Sequence, residues 1–181
     1  WETEVARRID LMGNIAWTPL EAMPKCFHTK DAMFDAGVEW HGIPYSTVSN
    51  YAGFVGRDVS FHTFLSAVNN VKGSMYTVNY HKPPYDHAKA GPFYGTVCTA
   101  SAVYAWGIPV NLWTKRISAG HSKYLDDIGT EIDSLQLFDA FCWFQKTAGH
   151  IVVISGLGRD KDGKVQKFYT FEGTGPVNRL R

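Results

Sequence analysis

The chain has 181 residues, a length that fits one domain with a single buried core. Its 18 Lys and Arg residues nearly balance its 17 Asp and Glu residues, and no run of like charge marks a nucleic-acid surface. No stretch reaches the roughly 20 apolar residues of a membrane-spanning helix. We therefore expect no nucleic-acid partner and no integral membrane segment.

Two amphipathic helices are predicted in the first half of the chain. The first spans residues 2–12 and places three apolar side chains on one face: Val5, Ile9 and Met12. The second ends at Asn70, and either Asp58 or Ser60 can cap its start. Its apolar residues recur at helical spacing: Phe61, Phe64, Leu65 and Val68. Frequent Pro and Gly in residues 14–51 predict irregular structure wrapped on the core.

A helix at residues 96–106 is predicted to be the centre of the domain. Many of its residues are small or apolar, which is typical of a helix buried on most sides, and Gly107 and Pro109 follow it. Residues 79–95 hold several Pro and Gly residues and predict a long loop that leads into this helix.

The last third of the chain predicts a helix followed by an antiparallel hairpin. We expect the helix at residues 133–144 and an apolar strand at residues 151–154. Residues 160–163 are a turn sequence, and residues 165–171 form the returning strand. This pattern indicates a sheet packed behind a helix.

Cys98 is the first candidate for chemistry, because it opens the central helix. Free amides and the dipole at a helix start favour negative charge and so help to form a reactive thiolate. The alternative is that Cys98 is a small buried hydrophobic residue, as most free cysteines are. The chain has three cysteines, so a bridge between Cys26 and Cys142 would leave Cys98 as the odd thiol.

His150 is the candidate general base. It comes just before the apolar strand, where its ring could face the start of the central helix and take a proton from Cys98. A short turn in the hairpin would bring Glu172 close to His150, and its carboxylate could orient the imidazole. The alternatives are an ordinary histidine and an exposed glutamate at the end of a strand.

Zinc binding ranks below catalysis. Cys26 and His28, like His81 and His87, lack the paired spacing of a zinc site. We therefore expect no metal and no other cofactor.

Three segments carry a resemblance to a known family. They are Gly42-Ile43-Pro44-Tyr45, the stretch from Tyr94 to Ala100 around Cys98, and Gly149-His150-Ile151-Val152-Val153-Ile154. They resemble the Gly-x-Pro-Tyr segment, the nucleophile segment and the Gly-His-Val strand of the NlpC-type cell-wall endopeptidase superfamily, a papain-like group of cysteine peptidases. Asp139 loosely resembles the family's Gly-Asp-Leu turn.

The resemblance implies an α+β papain-like fold, with the nucleophile helix packed on an antiparallel sheet. Residues 1–181 would form a single cysteine hydrolase domain with an inserted helical segment at about residues 46–94. Cys98 would be the nucleophile, His150 the base, and the Tyr45 hydroxyl would lie near the oxyanion site. Glu172 would take the third role. The substrate would be a peptide amide of bacterial cell wall, and the location periplasmic or extracellular.

Two departures from the family concern substrate recognition. Val97 stands where the family usually has an acidic residue, and Ser46-Thr47-Val48-Ser49 stands where it usually has a pair of glycines. The rival interpretation is a non-catalytic module that holds a glycan or a peptide in an aromatic groove on the same fold, with Cys98 only structural.

Overall fold

The computed structural model describes residues 1–24, 32–46, 53–70 and 94–181. The helices of this part of the chain are α1 (Glu2–Asn14), α2 (Phe61–Asn70), α3 (Cys98–Trp106) and α4 (Thr114–Ile117). Its strands are β1 (Ala16–Trp17), β2 (Met23–Pro24), β3 (Ala32–Phe34), β4 (Trp40–His41), β5 (Ala140–Gln145), β6 (Ala148–Arg159), β7 (Val165–Glu172) and β8 (Arg179–Leu180).

The main sheet is antiparallel, with strand order β5-β6-β7-β8. Helix α3 contacts both β6 and α1, and Ile151, Val153 and Phe171 of the sheet share one buried cluster with Cys98 and Ala102 of α3. The fold is therefore α+β, with the central helix on an antiparallel sheet, as the sequence predicts. None of the described helices is long and apolar enough to cross a membrane.

The predicted hairpin and the three helices around residues 2–12, 58–70 and 96–106 are confirmed. At the start of α2 the amide of Thr63 donates to the Ser60 hydroxyl at 3.0 Å, so Ser60 is the cap. The Asp58 carboxylate instead accepts from the Phe54 amide at 2.9 Å. Gly107 ends α3 in the left-handed conformation, with a φ of 72°.

The predicted helix at residues 133–144 is wrong. The segment is a short 3-10 turn, Ile132–Ser134, followed by strand β5. Phe138 has a φ of 71°, which a right-handed helix cannot accommodate. The aromatic side chains that follow favour a strand, where they pack against residues of β6 across the ladder.

Short strand pairs occur within the region predicted to be irregular. Strand β1 pairs with β4, and β2 pairs with β3. Of the predicted insertion at about residues 46–94, residues 47–52 and 71–93 lie outside the described residues, and so does most of the predicted loop at residues 79–95. Helix α2 is the described helix of that insertion.

Candidate active site

Cys98 is the first residue of α3 and is 8% exposed. The preceding residue, Val97, is extended, so the chain enters the helix directly at the cysteine. The pKa of the thiol is lowered by three nearby backbone amides, those of Ile151, Thr99 and Cys98 itself. The thiol therefore lies at the helix start and also against the sheet, beside the peptide that joins His150 to Ile151.

Cys98 lies close to the end of the β6–β7 ladder. The last residue pair of that ladder is Val152 with Glu172, and the chain after Glu172 turns past the start of α3. A Cβ atom on Gly173 would lie 2.8 Å from the Cys98 Cα and 3.0 Å from its amide nitrogen. Only a glycine permits this approach, because real Cβ atoms do not come so close to backbone atoms.

Burial changes the expected protonation state of the nucleophile. The pKa of the Cys98 thiol is raised, because burial disfavours the charged form more than the nearby amides favour it. The amides at the helix start lower the thiol pKa, as the sequence predicts, but burial outweighs them. Cys98 needs a base that takes its proton when it reacts.

His150 and Glu172 lie together on the face of the sheet that points away from α3, opposite to the face of Ile151 and Phe171. Glu172 is directly opposite Val152, two residues from His150, so the contact between them is diagonal. The His150 Nε2 atom is 3.9 Å from the Glu172 Oε2 atom. The Thr170 hydroxyl donates to the other carboxylate oxygen of Glu172 at 3.0 Å. Trp143 packs edge-to-face on the imidazole, with ring centroids 5.1 Å apart.

The pKa of His150 is lowered, chiefly by burial. The negative charge of Glu172 raises this pKa, and the positive charge of Arg181 lowers it, but neither outweighs burial. The imidazole is therefore neutral near pH 7 and has a lone pair with which to accept a proton.

Tyr45 pairs with Thr96, two residues before Cys98 at the start of α3. Residues 44–46 run parallel to the segment before Cys98, where the Ser46 amide donates to the Thr96 carbonyl and the Thr96 amide to the Pro44 carbonyl, each at 3.0 Å. Burial raises the pKa of the Tyr45 phenol, and a negative charge on Cys98 raises it further. The structure thus brings Tyr45 within electrostatic reach of the thiol.

Two predicted associations are absent from the described part of the chain. No hydrogen bond there joins the Cys98 sulfur to the His150 ring: side chains alternate along β6, so His150 points away from the face on which Ile151 and Val153 pack with Cys98. Cys142 carries a free thiol, which donates to the Thr114 carbonyl at 3.7 Å. Burial raises the pKa of Cys142 to about 11. Cys26 lies outside the described residues.

The candidate zinc ligands His28, His81 and His87 also lie outside the described residues. The described residues contain no cluster of three or more potential metal ligands.

Sequence reasoning missed two features of the site. Trp143 was placed in a predicted helix, whereas its alternation with Phe141 along an aromatic segment is a strand signal. The Ile151 amide has no sequence signal, because any residue supplies an amide. Its contact with Cys98 depends on where the β6–β7 ladder ends.

The described residues define an α+β protein with a buried thiol on one face of the sheet and a histidine and carboxylate pair on the other. Comparisons with models of known families, with curated proteins and with solved structures found no match to this chain.

The pKa of His150 leads to a prediction about stability. Since the folded-state pKa lies below the ordinary value of 6.5, protonation favours the unfolded chain, and stability falls as the pH drops below that value. We expect the melting temperature of the wild type to fall more steeply between about pH 7.5 and 5 than that of His150→Gln. His62→Gln, at an exposed position of α2, is the control and should follow the wild type. Parallel curves for wild type and His150→Gln would contradict the burial argument.

Proposed function

We propose that this protein is a cysteine hydrolase of the papain-like kind, which cleaves a peptide amide through Cys98 and His150. One observation supports this most: the buried thiol at the start of α3 packs in one cluster with Ile151 of β6, the strand that carries His150 and its partner Glu172. The sequence resemblance supports a peptide of bacterial cell wall as the substrate class. It also supports a periplasmic or extracellular location.

The mechanism begins with a neutral pair. In this scheme the His150 ring turns around the end of the sheet to the face of α3, where it takes the proton of the Cys98 thiol as the sulfur attacks the carbonyl carbon of the amide. The negative charge that develops on the carbonyl oxygen is stabilised by free amides of the first turn of α3 and by the Tyr45 hydroxyl. The imidazolium then gives its proton to the departing amine, which leaves a thioester on Cys98.

Water completes the reaction. His150 removes a proton from the water as its oxygen attacks the thioester carbonyl, and the sulfur departs and regains a proton. The products are a carboxylic acid and the free enzyme. Glu172 is a positioning residue in this scheme: it stabilises the imidazolium and holds the ring, while the Thr170 hydroxyl and Trp143 restrict the carboxylate and the imidazole.

The pH dependence of Cys98 alkylation tests this proposal. Iodoacetamide is applied from about pH 5 to 10, and labelling is measured separately at Cys98 and Cys142 by peptide mass spectrometry. We expect labelling of Cys98 to rise as His150 loses its proton, below about pH 6.5. In His150→Ala this step should vanish, and labelling of Cys98 should rise only above about pH 9, where the thiol ionises without a base. Cys142 is the internal control, and its profile should be the same in both proteins.

Glu172→Ala gives a second, smaller change in the same experiment. Because the carboxylate raises the pKa of His150, its removal should shift the His150-dependent step to lower pH and slow turnover without stopping it. Identical profiles for wild type and Glu172→Ala would remove Glu172 from the site. A wild-type profile with no His150-dependent step would favour the non-catalytic binding module.

A further inference from the structure

Strand β5 has an open edge. It is the first strand of the β5-β6-β7-β8 order, and its one partner among the described strands is β6. In an antiparallel ladder, every second residue of an edge strand directs both its amide and its carbonyl outward. Within the described part of the chain, no backbone group of residues 140–145 bonds to backbone outside the sheet. The edge therefore has unused donors and acceptors.

A cavity of about 500 Å³ follows this edge. Four consecutive residues of β5 line it: Ala140, Phe141, Cys142 and Trp143. Since successive side chains of a strand point to opposite faces, a cavity that touches all four runs along the edge and not over one face. Its other wall comes from residues 117–135, which include Ile117, Ile128 and Ile132. The volume lies within the usual range of ligand sites.

The charged side chains that line the cavity in the described part of the chain are all acidic. Asp126, Asp127 and Glu131 line the cavity, and among the described residues no Lys, Arg or His does. The Asp127 carboxylate accepts from the Gly129 amide at 2.9 Å. Among the described residues, none of these three carboxylates forms an ion pair with a basic side chain. The groove thus combines an apolar floor with carboxylates that have no cationic partner there.

We propose that this groove binds an extended peptide as an added strand on β5, and that it selects peptides with basic side chains. The peptide backbone would pair with the outward groups of β5, and alternate side chains would point toward the acidic wall. Complementary charge would fix the register and speed association. The groove is lined by Cys142 and not by Cys98, and the proposal holds whether or not Cys98 is catalytic.

The first test compares charge. The probe is an acetylated and amidated octapeptide of alternating Lys and Val, titrated by calorimetry into the full chain. The variant Asp126→Asn, Asp127→Asn, Glu131→Gln should bind it about tenfold more weakly, as loss of three exposed ion pairs implies. The control variant Glu2→Gln, Asp35→Asn, Asp162→Asn removes the same charge from exposed positions outside the groove and should bind as the wild type does. Equal weakening in both variants would overturn the proposal.

The second test examines the backbone pairing. Two further peptides keep the sequence but carry N-methyl groups, one on the odd-numbered and one on the even-numbered amides. Only one of these sets can face β5, so one peptide should lose at least about tenfold in affinity while the other keeps most of it. Equal binding by both methylated peptides would overturn the added-strand geometry. A peptide of alternating Glu and Val should not bind as well as the basic peptide, and equal binding would overturn the assignment of a basic peptide as the occupant. Self-association of the chain that the basic peptide fails to reverse would overturn it too.

Discussion

Replacing Cys98 with serine is expected to lower turnover of a peptide substrate by at least about a thousandfold. The serine hydroxyl has nearly the same size, but it is a much weaker acid than the thiol, and the neutral imidazole of His150 does not activate it as well. His150→Ala should cause a loss of similar size, because the buried thiol then has no base. The assay uses peptides released from bacterial cell wall, and its readout is the rate at which new amino groups appear.

The matched control is Cys142→Ser. Cys142 is also a free and partly buried thiol, but it lies on β5 and contacts the Thr114 carbonyl. Its replacement should leave turnover unchanged. Circular dichroism and melting curves verify that all three variants fold. Full activity in Cys98→Ser or in His150→Ala would contradict the proposed chemistry.

A methyl group at Gly173 is expected to have the next largest effect. The added Cβ of Gly173→Ala would lie 2.8 Å from the Cys98 Cα, and backbone atoms at this distance must move apart. Displacement of a reacting group by about 1 Å costs on the order of a hundredfold in rate. We therefore expect kcat/KM to fall about a hundredfold. The melting temperature should also fall, because α3 and the sheet no longer pack closely.

Gly13→Ala is the control for this substitution. A Cβ there would meet the Leu180 side chain at 3.6 Å, an ordinary contact, so the change should preserve both stability and turnover. Normal turnover in Gly173→Ala would show that the position of Cys98 against the sheet does not matter for the reaction.

The sequence predicts those parts of the fold that depend on local patterns. Helix α3 follows from small residues that end at a left-handed Gly107, and the β6–β7 hairpin follows from apolar runs around a turn at residues 160–163. The proximity of Glu172 to His150 was also predicted. Its geometry is diagonal because the hairpin is centred on Asp162: Arg159 pairs with Val165 and Val152 with Glu172, and the two register irregularities between these pairs cancel.

The rest depends on contacts between distant parts of the chain. Strand β5 carries an apolar and aromatic segment that a helix could also contain, and its strand conformation depends on pairing with β6. The raised pKa of Cys98 results from burial under residues far away in sequence, which the helix-start argument does not include. The unpaired edge of β5 has the same origin, since only the sheet order shows which strand lies outermost.

The central claim is that the Cys98 sulfur forms a covalent bond with the substrate while His150 acts as its base. For the most direct measurement, the protein is mixed with cell-wall peptides and quenched with acid after milliseconds to seconds. Its intact mass is then measured, and peptide mapping locates any added mass. The account predicts an added acyl mass on Cys98 in the wild type and none in Cys98→Ser. It also predicts that the adduct forms far more slowly in His150→Ala. Turnover of the same peptides by the wild type without an adduct, together with equal turnover by Cys98→Ser, would contradict it.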